Sequence, residues 1–480
     1  MGKMTSQLLV ILFTFFVQFI DKVGSERVCL SDVAMEMREQ QGITIDSLDY
    51  EVSPIYLDSV RAMGAKVLHT SRWINGATVT TNLQTIAKIE ACDFVDTVYL
   101  TREEDGLLPL GKASVSLRKR MVEENSLPSD PPPPASIEQL DQLNLLPLHQ
   151  AGYRGKGIRI GVADGGFYNA NTMSALPKAQ WLGYADFTDD EDDFFGSTGN
   201  HGTLCVSAIL ASQSDYEGAA VEAEYFLFRT EEQYTESPKE LDNWVAAIEM
   251  ADSLGLHIVS TSLGYTTFDD EQFDFNYADM DGRISRGAQA AAIAARKGML
   301  LVVAAGNDGN KAWHYLSTPA DADSILTVGA VDIDGEIAAF SSFGPSADGR
   351  VKPEVCAVGK QTSLLNPSDG WIMTGNGTSF ACPLIAGAAA CLWSALPTAS
   401  NMEIRERIIR SADRYTTPHE QYGYGIPDLW EAYGKGTGNN LPYVDDYHAY
   451  EVEKIWYNGQ LFIKKNNTLY NILGTNITIH

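Results

Sequence analysis

Ser379 stands in the stretch Gly375-Asn376-Gly377-Thr378-Ser379-Phe380-Ala381-Cys382-Pro383, followed by the small apolar run Leu384 to Ala390. Its hydroxyl therefore sits between a glycine-rich turn and a helix expected to be buried on all sides. Glycines let backbone and substrate approach closely, and the first N–H groups of a helix have no internal acceptor, which suits a nucleophile facing an oxyanion. Pro383 is expected near the helix start, where its missing N–H is not needed. Asp164 ends the apolar-biased strand Ile158 to Ala163, and a carboxylate at the carboxyl end of a parallel strand faces the crevice of an α/β sheet. His201 opens a helix after Gly199-Asn200, and an imidazole with a pKa near neutrality can both accept and donate a proton. Taken singly, each of the three also fits an ordinary capping residue.

Gly377-Thr378-Ser379-Phe380-Ala381-Cys382-Pro383 is similar to the serine motif of the subtilisin-like serine peptidases, whose blocks run in the order Asp, His, Ser. Asp164-Gly165-Gly166-Phe167 and Gly199-Asn200-His201-Gly202-Thr203 resemble the other two blocks. The resemblance implies that Ser379 is the nucleophile, His201 its base, and Asp164 the group that orients the imidazole. Asn307, in Ala304-Ala305-Gly306-Asn307, matches the family's oxyanion asparagine. Ser262, Leu263 and Gly264 resemble the edge on which an extended peptide pairs with main chain, and Ala304, Ala305 and Gly306 one wall of the pocket before the cut bond. Five ordered blocks agree over residues 148–433. Two positions depart from the pattern: Gly165 stands where Ser or Thr is usual, and Leu204 where a second histidine is common.

These residues need a scaffold. The resemblance implies an α/β, three-layer subtilisin-like domain with a mostly parallel central sheet, preceded by a small α+β pro-domain and followed by a short β tail. The 480 residues allow two or three domains, and 44% apolar content supplies a large core. With 35 basic against 63 acidic residues the net charge is −28, which argues against nucleic acid or an anionic membrane as partner. Polypeptide substrates and the chain's own pro-domain, as intramolecular inhibitor, are the partners the resemblance implies.

The apolar run Leu8 to Val17 is too short to span a bilayer comfortably and reads as a secretory signal peptide over 1–25, with an uncleaved anchor as the alternative. The rest reads as exported to the periplasm, cell surface or medium, and not as an integral membrane protein; a cytoplasmic peptidase would need the run to stay unexported. Residues 26–104 carry a β-α-β rhythm similar to the family's inhibitor-chaperone pro-domain. Pro128 to Pro134 marks a linker over 105–147, where activation cleavage is expected between 102 and 136. The peptidase domain covers 148–433. The tail 434–480 suggests a hairpin turning at Asn466-Asn467, similar to part of the sorting domains on secreted Bacteroidetes proteins or an accessory hairpin.

Six cysteines do not make a disulfide scaffold in a chain this long, although Cys29 and Cys92 could pair within the pro-domain. Cys205, one helical turn after His201, is expected to point toward the same helix face, so that a small mercurial would inhibit. No cofactor is required for the chemistry. The acidic stretches 186–193 and 269–281 could bind structural calcium or simply be solvated loops, and no metal ligand is assigned. The sequence thus reads as a secreted, self-processing serine endopeptidase zymogen working through an acyl-enzyme. A catalytically silent binding protein of the same fold is the alternative.

Overall fold

A computed structural model describes residues 11–103, 136–188, 193–196 and 199–434, and four short strands between 453 and 477. The N-terminal part holds β1 (Phe13–Phe19), α1 (Asp32–Gln40), α2 (Pro54–Ala62), β2 (Lys66–Ser71), β3 (Gly76–Thr81), α3 (Leu83–Glu90) and β4 (Val95–Glu103). Its strands form an antiparallel sheet in the order β2-β3-β1-β4. Local signals fix the helices: Ser53 and Asn82 cap the N-termini of α2 and α3, and Pro54 occupies the first turn of α2. Phe15, Val17 and Phe19 of β1 pack with Leu57, Val60, Ile86 and Ile89 of these two helices.

This arrangement corrects the reading of residues 1–25 as a removable leader. β1 lies between β3 and β4, with Val17 opposite Ala77 on one side and Val98 on the other. The apolar run is continuous because both faces of the strand are covered. Phe16, on the face away from α2 and α3, joins the core cluster formed by Trp244, Val245 and Ile248 of the next domain. A strand buried on two sides lacks the alternation that separates it from a leader. Residues 1–10, which complete the expected leader, lie outside the described residues.

The second part holds α4 (Ser136–Gln142), α5 (Leu146–Gln150), β5 (Arg159–Asp164), β6 (Trp181–Asp186), α6 (His201–Leu210), a minimal pair β7 (Ser212–Gln213) and β8 (Tyr216–Glu217), β9 (Glu224–Arg229) and α7 (Pro238–Leu254). There follow β10 (Ile258–Thr261), α8 (Arg286–Arg296), β11 (Leu300–Ala304), β12 (Leu326–Val331), β13 (Val355–Val358), β14 (Thr362–Leu365), β15 (Ile372–Gly375), α9 (Thr378–Ala395), α10 (Asn401–Arg410) and α11 (Leu429–Ala432). Seven strands form one sheet, β13-β12-β11-β10-β5-β9-β6, and every pairing in it is parallel. Alternate strand residues feed two cores, one with α6 and α9 and the other with α7 and α8. The result is the three-layer α/β domain expected.

The linker expected over 105–147 ends before residue 147, since α4 starts at Ser136, close behind the proline run. Leu140, Leu143 and Leu145, on and after α4, are fully buried in the core with α9, so this segment belongs to the second domain. Activation cleavage is expected between 102 and 136, and residues 104–135 of that span lie outside the described residues.

The N-terminal sheet sits on α7. Glu249 accepts from the Ser71 hydroxyl at 2.5 Å and from the backbone N–H groups of Arg72 and Trp73 at 2.8 and 3.1 Å. Arg72 and Arg38 both reach Asp252, at 2.6 and 2.8 Å, and Lys297 meets Asp49 at 2.7 Å. All these side chains are nearly inaccessible; Arg38 and Asp49 also pair with each other at 3.1 Å within the N-terminal part, whereas the pairs with Asp252 and Lys297 form only across the docked interface.

Residues 436–480 form a separate unit. Its strands β16 (Glu453–Tyr457), β17 (Gln460–Lys465), β18 (Thr468–Asn471) and β19 (Asn476–Ile477) make an antiparallel meander. Lys465 pairs with Thr468, and the hairpin turn is expected at the Asn466-Asn467 between them. Those two asparagines and residues 435–452 lie outside the described residues.

Candidate active site

The parallel registers decide which strand ends are neighbours. Ala163 of β5 lies beside Thr261 of β10, which lies beside Val303 of β11. Asp164, Ser262 and Ala304 therefore stand side by side at the carboxyl edge of the sheet. Asp164 is fully buried.

α6 brings His201 to it. A Cβ on Gly202 would come within 2.6 Å of the Gly166 carbonyl oxygen and 2.9 Å of Asp164 Cβ, so only glycine lets the helix start settle on the end of β5. The imidazole Nδ1 then lies 2.9 Å from both Oδ1 and Oδ2 of Asp164. Gly165, the departure from the family pattern, still serves the carboxylate: its backbone N–H donates to Asp164 Oδ1 at 2.7 Å. Leu204 packs in the core, as its type requires. Burial opposes a charge on His201, but the Asp164 carboxylate outweighs it and holds the imidazole pKa well above its usual value.

α9 carries Ser379 in its first turn, packed against α6 and β10 through β13. This is the only described helix long and apolar enough to cross a membrane, and it is buried in the core. Ser379 Oγ and His201 Nε2 are both buried, and among the described residues neither has a hydrogen-bond partner. Asn307 follows β11. Its side-chain oxygen accepts from the Thr378 N–H at 2.9 Å and the Thr378 hydroxyl at 3.0 Å, so the amide NH2 is the edge able to donate elsewhere. Thr378 thus orients Asn307, a role the sequence alone did not reveal.

The remaining candidates are placed more loosely. Ser262 and Leu263 follow β10 and are buried. A Cβ on Gly264 would collide with Ser317 Oγ, so this edge must stay bare. Ala304 and Ala305 side chains pack into the two cores on opposite faces of the sheet, so a pocket wall here would be main chain, together with Gly306. Gly306 has φ +115, a backbone that suits glycine.

Two expectations need revision. Pro383 is not at the helix start but is the sixth residue of α9, inside the helix. Cys29 and Cys92 are both free thiols: Cys29 precedes α1 and bonds to Asp49, whereas Cys92 closes α3. Cys205 does point as expected, with Sγ 4.0 Å from His201 Nδ1 and 3.3 Å from the Ser379 carbonyl oxygen.

The acidic stretches give no calcium shell among the described residues. Asp270, Asp274, Asp279 and Asp281 each accept from a nearby backbone N–H, and Asp186 pairs with Arg229 at 2.5 Å. Asp189 to Asp192 lie outside the described residues.

Comparison with known proteins places both described domains in one family. The sequence model of the Subtilase family matches residues 155–425, just over half of the chain, and that of the Peptidase S8 propeptide domain, Bacteroidota, matches residues 14–109. The thermostable alkaline protease of Halalkalibacterium halodurans is 28% identical over 284 residues, covering 59% of this chain and 70% of that protein. Subtilisin DY of Bacillus licheniformis is 29% identical over 278 residues, covering 57% and 89%. The membrane-bound transcription factor site-1 protease of Mus musculus is 27% identical over 313 residues, covering 62% of this chain but 27% of that protein. The propeptide match begins inside β1, in keeping with that strand's place in the N-terminal sheet. The chain belongs to the subtilase family: it is a serine endopeptidase of the subtilisin type, built as a zymogen with its own propeptide domain.

Proposed function

We propose that the chain is a self-processing zymogen that hydrolyses polypeptides through an acyl-enzyme. Ser379 Oγ attacks the scissile carbonyl carbon while its proton passes to His201 Nε2. Asn307 and the Ser379 N–H, which has no intrahelical acceptor in the first turn of α9, hold the resulting oxyanion. The C–N bond breaks as His201 returns the proton to the leaving amine. Water, deprotonated by the same imidazole, then hydrolyses the ester. Asp164 keeps the proton of the neutral imidazole on Nδ1 and stabilises the imidazolium without itself being protonated. The scheme draws on protein groups alone.

One observation carries the reading. Two buried polar atoms, Ser379 Oγ and His201 Nε2, have no partner among the described residues, while the other imidazole nitrogen is held by a carboxylate. Leaving buried polar groups unsatisfied costs about 1–3 kcal/mol each, and a site that tolerates this keeps those atoms for a substrate.

Intact mass of the purified full-length product, wild type beside Ser379→Ala, tests the scheme. Loss of the pro-region in the wild type alone is expected, and the new N-terminus locates the activation site. Processing of both alike would exclude a serine-dependent cut by the chain itself.

A further inference from the structure

Pro383 creates a problem at the residue it follows by four positions. In an α-helix the N–H of residue 383 would bond the carbonyl of residue 379, and proline has no N–H. Ser379 is fully buried, so its carbonyl cannot turn to bulk water. An unpaired buried carbonyl at this point would leave the peptide plane after the nucleophile without a restraint.

Two side chains fill the gap. Ser262 Oγ donates to the Ser379 oxygen at 2.8 Å, and Cys205 Sγ approaches it at 3.3 Å. The thiol is the weaker donor of the two. Ser262 follows β10, whose neighbour β5 ends on Asp164, and Cys205 lies on α6 one turn after His201. The carbonyl of the serine residue is thus tied to the strand edge and to the helix that position the other two groups.

We propose that Ser262 is a positioning residue for the nucleophile: its hydroxyl replaces the helical hydrogen bond that Pro383 cannot make, and so holds Ser379 in register with His201. This side-chain role is separate from any main-chain pairing of substrate at the same residue. It rests on the reading of Ser379 as nucleophile. A helix bonded only to itself would place the serine according to α9 alone; here its placement is shared with β10.

The test uses processed enzyme from the full chain, with a chromogenic peptide anilide bearing an apolar residue before the cut bond. Ser262→Ala is expected to lower kcat about tenfold or more, the loss of one buried hydrogen bond at the reacting residue, with KM within about twofold. Pro383→Ala restores a backbone N–H four residues after Ser379, and the double variant Ser262→Ala/Pro383→Ala should regain most of the lost kcat. Thermal melting of each variant reports folding separately. If Ser262→Ala does not mature, Ser262→Cys keeps a weak donor and should lose several-fold in kcat, again relieved by Pro383→Ala. A change confined to KM, or no recovery in a folded double variant, overturns the proposal. Ser379→Ala runs alongside as the full chain, since the triad reading expects it to stay unprocessed: self-processing or peptidase activity there would sink that reading itself, whereas an inactive Ser379→Ala with an unaffected Ser262→Ala would sink only the positioning role.

Discussion

His201 Nδ1 is 2.9 Å from each carboxylate oxygen of Asp164, and the same imidazole has its other nitrogen buried without a partner among the described residues. Burial disfavours the imidazolium, the carboxylate favours it more, and the pKa is raised. Because the base must be neutral, the acid limb of the kcat/KM profile should have its midpoint above pH 6.5. Asp164→Asn should move that limb toward acid and lower kcat by about 10⁴-fold, since the amide cannot hold the productive tautomer. The linked stability effect has a definite sign. The pair's contribution is fully present below the unfolded histidine's pKa and fades as pH rises through the higher folded value, which thermal melts across that window would read.

Asn307 offers a second test. Its oxygen is committed to Thr378, so Asn307→Leu removes an oriented donor rather than a mobile amide. A fall in kcat of about two to three orders of magnitude is expected, with KM little changed; the figure is carried over from the same donor in subtilisin. Thr378→Val should lose a smaller part of that, because it removes the hydroxyl that donates to the amide oxygen but keeps the backbone N–H that also holds it.

Cys205 predicts an inhibitor profile. Burial raises its thiol pKa, so ordinary alkylating reagents should react slowly at neutral pH. A small mercurial that does reach Sγ would sit between His201 and the Ser379 carbonyl. Activity should fall in step with labelling of Cys205, and Cys205→Ala should abolish the sensitivity. Full activity after stoichiometric modification, checked by mass, would dismiss this arrangement.

The docking of the pro-domain rests heavily on Glu249, which takes three donors from Ser71, Arg72 and Trp73. Removing one partner of a buried ionic network costs about 3–5 kcal/mol. Glu249→Ala should therefore weaken inhibition by the cleaved pro-domain by about 100-fold or more, seen as early escape of activity after processing. Unchanged inhibition would show that the apolar contact of Phe16, Trp73 and Ile74 with α7 suffices.

The catalytic candidates were readable because their chemistry leaves local marks. Glycines beside Asp164, His201 and Ser379 mark backbone that must approach backbone, and each residue ends a strand or starts a helix, where sequence patterns are sharpest. The sheet was readable for a similar reason, since runs such as Leu300 to Ala304 are continuous only when buried on both faces. That same rule concealed β1: an apolar run buried on two sides looks like a leader when its partners lie some sixty to ninety residues away. Tertiary bonds were not readable either. Nothing near Ser379 announces that Ser262 and Cys205 converge on its carbonyl, although a proline four residues downstream is a signal that some outside donor is needed.

The position of β1 also bears on the order of assembly. It is an inner strand of its sheet, flanked by β3 and β4, yet it is the first of these strands to leave the ribosome. It must wait for β4 before the sheet can close, and closure then needs nothing from the protease domain's strands. A truncation at the N-terminus would accordingly remove the middle of this sheet rather than trim its border, separating β4 from β2 and β3. This first strand thus acts as a keystone, and N-terminal deletions that reach Phe13 should disable maturation of a catalytic domain more than a hundred residues downstream.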